Sequence, residues 1–82
     1  MTTYHEVLTN IAEQLGVSTH HIDLASPVVD ITPDSFALVE LALGLQDEFR
    51  ITLHQEDIHH TTTVNTLIQL ILDRTNAAAL VP

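Results

Sequence analysis

The sequence predicts an all-α fold: a small four-helix bundle, three main helices plus one short helix, with a long loop between helices one and two. Three stretches carry this reading, each placing apolar residues at i, i+3, i+4 and i+7, the period of a helix with one buried face. Residues that start or stop helices bound them: Thr3 with Glu6 three positions on, Gly16, and the run Thr32-Pro33-Asp34. The 82 residues suffice for one domain with one modest core, read as 1–82 with 77–82 a tail. With no cysteine in the chain, neither disulfides nor thiolate metal sites support that core, so packing must.

The first helix runs from Thr3 to Leu15. Thr3 and Glu6 match a capping box, in which each side chain satisfies the other residue's backbone N–H. Tyr4, Val7, Leu8, Ile11 and Leu15 share one face. Gly16 stands where a helix ends in the left-handed conformation, which glycine enters at least cost. Val17 to Thr32 is a connection of about sixteen residues, long enough to be either functional or well packed. Ile22, Leu24, Val28 and Ile31 are spaced along it as anchors onto the core.

The second helix spans Ser35 to Arg50. Thr32 is its expected N-cap, Pro33 suits the first helical position, and Asp34 sets negative charge at the positive end of the dipole. Leu38, Leu41, Ala42, Leu45 and Phe49 form the core stripe. Phe36, Val39 and Leu43 fall on a second stripe, continued by Glu40 and Asp47. A bundle this small cannot easily bury both faces of one helix. The second stripe is therefore expected at the surface, an apolar strip edged with acid of the kind that meets partners. Gly44 interrupts the helix at a cost of about 0.5–1 kcal/mol against alanine. Arg50, in the last turn, complements the negative end of the dipole.

Arg50 to Leu53 leaves the helix in extended form, and Gln55 to His60 makes one short helical turn with Ile58 inward. Thr61, Thr62 and Thr63 offer N-caps for the last helix, Val64 to Thr75. Val64, Leu67, Ile68 and Ile71 line its inner face. His54, His59 and His60 flank Glu56 and Asp57; they either serve as counter-charges to those acids in the fold or stand exposed and uncoupled from it.

Composition narrows the function. Arg50 and Arg74 face eleven acids, and with no lysine the net charge at pH 7 is −9. Such a chain does not hold nucleic acid through phosphate contacts; it draws basic partners. No apolar run approaches the ~20 residues of a membrane span, and no signal peptide opens the chain. A cytoplasmic monomer is the expectation. His20-His21 and His59-His60 are adjacent pairs, about 100° apart on a helix, not the i, i+4 pairs of a zinc helix. No further ligand spacing supports a site from His54, Glu56 and His59, so no metal is expected. Ser35 lacks the G-x-S-x-G elbow and a glycine-rich oxyanion loop, so no catalytic residue is assigned and the chain is read as no enzyme. What remains for Ser35 is either to accept a group that another enzyme attaches or, with Asp34, simply to begin a helix. Its hydroxyl stands at a helix start, where free N–H groups and the dipole favour phosphate.

The chain resembles the acyl carrier proteins. Asp34-Ser35-Phe36 is similar to their Asp-Ser-Leu attachment motif, and Val39-Glu40-Leu41 continues as their second helix does. Asp47-Glu48-Phe49 resembles that helix's acidic-aromatic end, and Thr62-Thr63-Val64 the start of their last helix. The likeness runs from about Val7 to Ile71. It implies a 4′-phosphopantetheine group on Ser35, taken from coenzyme A through a phosphopantetheinyl transferase, whose thiol carries acyl intermediates as thioesters. Asp34 would serve the transferase and its magnesium ion. Phe36, Val39, Glu40, Leu43 and Asp47 would dock acyl-loading and acyl-processing enzymes through their basic patches. The interior between the second helix, Ile51–Ile58 and the last helix would hold the acyl chain. Thr32 and Pro33 stand where the family often has glycine and a small residue, Leu38 replaces a frequent acid, and Arg50 ends a normally acidic helix. Fatty acid, polyketide and related biosynthesis all fit. The alternatives are a stand-alone aminoacyl or peptidyl carrier and an unmodified acidic helical adaptor domain.

Overall fold

A computed structural model of the chain describes residues 2–32, 34–58 and 62–80. Its α-helices follow in the order α1 (Tyr4–Leu15), α2 (Val28–Ile31), α3 (Ser35–Phe49) and α4 (Val64–Leu80). Single 3-10 turns stand at Thr19–His21 and Gln55–Ile58, and no strand occurs among the described residues.

Helix α1 starts and stops where its residue chemistry directs. The Thr3 hydroxyl accepts the Glu6 N–H at 3.2 Å. Gly16 takes φ 71°, and the N–H groups of Gly16 and Val17 close on the carbonyls of Glu13 and Ala12 at 3.2 and 3.0 Å. Val7 and Ile11 are fully buried, and Tyr4, Leu8 and Leu15 pack around them half-buried. The Tyr4 hydroxyl donates to Asn65 Oδ1 at 2.6 Å, joining α1 to α4.

The connection after α1 holds more structure than its sequence indicated. It contains the first 3-10 turn and α2, whose four residues are too few to show a helical period. Ile22 and Val28 are buried and Leu24 and Ile31 half-buried, as anchors should be. Backbone bonds tie this stretch to the start of α4: Val28 N–H to Thr62 O at 2.8 Å, Val64 N–H to Ser26 O at 3.0 Å, and Asn65 N–H to Leu24 O at 3.0 Å.

The start of α3 corrects the expected cap. Asp34, not Thr32, is the N-cap, and its Oδ1 accepts the Ala37 N–H at 2.8 Å. Thr32 is buried at the end of α2, where its hydroxyl reaches the carbonyls of Val28 and Val29, both at 3.3 Å. A hydroxyl engaged by the preceding helix cannot cap the next one. Pro33, expected at the first helical position, lies outside the described residues.

The end of α3 falls one residue early. Arg50 lies just past the helix in the left-handed conformation (φ 54°, ψ 46°), and its N–H and that of Ile51 both close on Gln46 O. That conformation costs a residue with a Cβ about 1–2 kcal/mol. An exposed charge near a helix C-terminus returns about 0.3–1 kcal/mol, and less in salt. Arg50→Gly is therefore expected to raise the melting temperature by a few degrees at moderate salt. A lower value would show that Arg50 makes a compensating contact. A Cβ at Gly44 would meet the end of the Gln14 side chain on α1, which is exposed and free to move aside, so packing does not require glycine there.

Beyond α3, Leu53 and Ile58 are buried, the latter inward as expected. Among the described residues the counter-charge of Asp57 is Arg74. Arg74 Nη1 reaches Asp57 Oδ2 at 2.7 Å and Nη2 reaches Oδ1 at 3.1 Å, while Nη1 also donates to Thr52 O at 2.7 Å. His54 meets that carboxylate through its backbone N–H, 2.8 Å from Asp57 Oδ2. His59 and His60 lie outside the described residues.

The Arg74 hydrogen bond, and then the His54 N–H, hold the Asp57 carboxyl below its ordinary range. A carboxylate lowered in the folded state stabilises it fully above the unfolded pKa of about 3.9, and that stabilisation is lost as pH falls through the folded value. The gap in melting temperature between the native protein and Asp57→Asn should therefore narrow from pH 5 to pH 2. A constant gap would remove this pair from the acid response.

Helix α4 begins as expected: the Thr63 hydroxyl accepts the Thr66 N–H at 3.1 Å. It runs to Leu80 rather than ending at Thr75, so residues 77–80, read as tail, continue the helix. Ala77-Ala78-Ala79 are the strongest helix formers, and no glycine or proline intervenes before Pro82. Val64, Leu67, Ile68 and Ile71 have no exposed surface, and with Val7, Ile11 and Leu45 they make the core.

Candidate functional site

Ser35 occupies the first position of α3 and is exposed. The Asp34 carboxylate, itself exposed, spends one oxygen on the Ala37 N–H. Leu38 N–H turns back to Asp34 O at 3.2 Å. Those two bonds satisfy the third and fourth positions of the helix and leave the N–H groups of Ser35 and Phe36 without a partner among the described residues. The serine hydroxyl thus stands in solvent beside open backbone donors, at the positive end of the dipole of the 15-residue α3.

The two stripes of α3 separate as their spacing predicts. Leu41 and Leu45 are buried, with Leu38, Ala42 and Phe49 half-buried against the core. Phe36 keeps 70% of its surface exposed, Leu43 59% and Val39 39%, an apolar strip too open to be core. Glu40 and Asp47 are exposed along the same side.

An apolar cleft of about 200 Å³ opens beside this strip. Leu38, Val39, Ala42, Leu43 and Gln46 of α3 form one side, and Leu53 and Ile58 the other. Leu38 lies one helical turn after Ser35, and the cleft extends along α3 to Gln46, roughly 16 Å from Ser35 along the axis. The last helix, expected to help enclose an acyl chain, does not line it. Its inner residues are fully buried in the core and have no surface left to contribute. The periodicity assigned Leu38 and Ala42 wholly to the core; they are also the floor of this cleft. Leu53 and Ile58 were detectable as the apolar residues of an otherwise polar segment.

Other chemistry is not assembled among the described residues. Among the described residues no three histidine or acidic side chains come together to hold a metal ion. His59, from the trio His54, Glu56 and His59, lies outside them. No helix among the described residues is long and apolar enough to cross a membrane.

Comparison with known proteins finds relatives of this chain. The family described as "Phosphopantetheine attachment site" matches residues 5–71. The acyl carrier protein of Chlamydia trachomatis serovar D is 31% identical over 77 residues, covering 93% of this chain and 100% of that protein.

Proposed function

The chain belongs to the acyl carrier protein family, whose members bear a covalently attached 4′-phosphopantetheine group, and on that footing we propose that Ser35 is the attachment residue and the protein a discrete acyl carrier. The observation that carries this is the exposed Ser35 hydroxyl at the start of a helix whose exposed face and adjoining cleft are both apolar.

The residues present fit the group. Ser35 Oγ is open to attack the phosphorus of coenzyme A, its proton passing to a base of the transferase and the adenosine bisphosphate leaving. The N–H groups of Ser35 and Phe36, without a partner among the described residues, favour the phosphodiester charge there. Asp34 keeps one carboxylate oxygen clear of the helix cap to meet the transferase's magnesium ion. Once attached, the group supplies a thiol that bears the acyl unit as a thioester. Phe36, Val39 and Leu43 give a partner apolar contact, and Glu40 and Asp47 steer basic patches toward it.

Nothing in the chain performs a reaction by itself in this reading: it presents cargo to enzymes, as a single cytoplasmic domain acting as a monomer. Fatty acid, polyketide or related biosynthesis supplies the cargo. The apolar cleft favours an acyl chain over the aminoacyl or peptidyl alternative, because a polar amine or amide buried without partners is costly. The test is to incubate the purified protein with octanoyl-coenzyme A, magnesium and a broad-specificity phosphopantetheinyl transferase and record intact mass. Gain of one octanoyl-phosphopantetheine unit is expected. No gain would favour the unmodified adaptor.

A further inference from the structure

Resting on the reading that the cleft beside α3 takes the acyl chain, we propose that Arg74 is a positioning residue that fixes the length of chain accommodated, by latching the far wall of that cleft from outside. The wall is short. It consists of Leu53 and Ile58, at either end of a segment that includes the 3-10 turn Gln55–Ile58. Leu53 faces the cleft, while its neighbours Thr52 and His54 face a groove on the outer side together with Arg74.

One guanidinium grips both ends of this segment. It takes Thr52 O at 2.7 Å, just before Leu53, and both carboxylate oxygens of Asp57 at 2.7 and 3.1 Å, just before Ile58. Asp57 passes the hold on, since its Oδ2 accepts His54 N–H at 2.8 Å and its own N–H donates to His54 O at 2.9 Å. Leu53 is therefore fixed on both flanks. The grip is anchored in turn, because Arg74 lies on α4 one turn beyond Ile71, which is fully buried. The rigid planar fork holds two carboxylate oxygens and a carbonyl at once, a geometry that the point charge on a flexible lysine stem reproduces poorly.

The latched cleft is small. An aliphatic cavity of about 150 Å³ takes a benzene-sized guest, so about 200 Å³ takes an acyl chain of roughly six to eight carbons. Released, the segment can swing outward, which admits longer chains and weakens the hold on shorter ones.

The test loads the native protein, Arg74→Ala, Arg74→Lys and Asp57→Asn at Ser35 with butanoyl, hexanoyl, octanoyl and dodecanoyl phosphopantetheine. The melting temperature of each is measured against the same variant bearing the unacylated arm. For the native protein the increment should grow to octanoyl, by several degrees, and not grow further at dodecanoyl. In all three variants the octanoyl increment should fall by at least half and the largest increment should move to dodecanoyl. Should Arg74→Ala fail to fold, Arg74→Lys and Asp57→Asn carry the same comparison. Variants that melt lower but keep the native profile of increments would overturn the latch and leave a purely structural ion pair. A native protein whose melting temperature ignores chain length would instead overturn the cleft reading, and the latch with it.

Discussion

Ser35→Ala protein gains no mass when offered coenzyme A, magnesium and a transferase that fully converts the native chain. The effect is all-or-none, because the substitution removes the oxygen that forms the bond to phosphorus. It leaves the fold intact: Ser35 is exposed, and the cap of α3 belongs to Asp34. The same assay isolates Asp34. Asparagine caps a helix about as well as aspartate, so Asp34→Asn should melt within a degree or two of the native protein. If the Asp34 charge serves the transferase's metal ion, this variant is modified at least tenfold more slowly. Modification of Ser35→Ala at any site would displace the attachment residue. An unchanged rate for Asp34→Asn would confine Asp34 to capping.

Leu45→Ala is the substitution expected to damage stability most. Leu45 has no exposed surface, and removing a buried leucine side chain costs about 2–5 kcal/mol. A domain of this size has about 5–10 kcal/mol in all, so denaturant midpoints should fall by roughly a fifth or more. Leu43, two residues away, is 59% exposed. Leu43→Ala should leave the midpoint almost unmoved and weaken binding of partner enzymes at low and high salt alike, since the lost contact is apolar. Chemical denaturation and a binding titration on both variants check this. The reverse pattern, a damaging Leu43→Ala and a harmless Leu45→Ala, would mean that the two faces of α3 are exchanged.

The parts of this fold legible in the sequence are those set by neighbours a few residues apart. Thr3, Gly16 and Thr63 bound helices where local chemistry placed them, and the spacing of Leu41, Leu45, Phe36 and Leu43 separated a buried from an exposed face. Ser35 was marked by its position and by the motif around it. Competition between local signals was harder to resolve. Both Thr32 and Asp34 can cap a helix, and only the presence of α2, too short for a period, shows that Thr32 is already engaged. Helix α4 outran its reading because its alanines carry no stripe. Long-range pairing was out of reach altogether. Arg74 and Asp57 are 17 residues apart, and nothing local favours that pair over a nearer histidine. The cleft wall follows from the same pairing, so its members were known as apolar residues but not as a wall.

The central claim is that Ser35 carries phosphopantetheine in the working protein, and intact-mass analysis of the chain purified from its own host, with fragmentation to locate any added group, tests it most directly. The account predicts a population heavier by one phosphopantetheine or acyl-phosphopantetheine unit, with the added mass confined to the fragment containing Ser35. A chain recovered wholly at its unmodified mass from growing cells, or one modified at another residue, would contradict it.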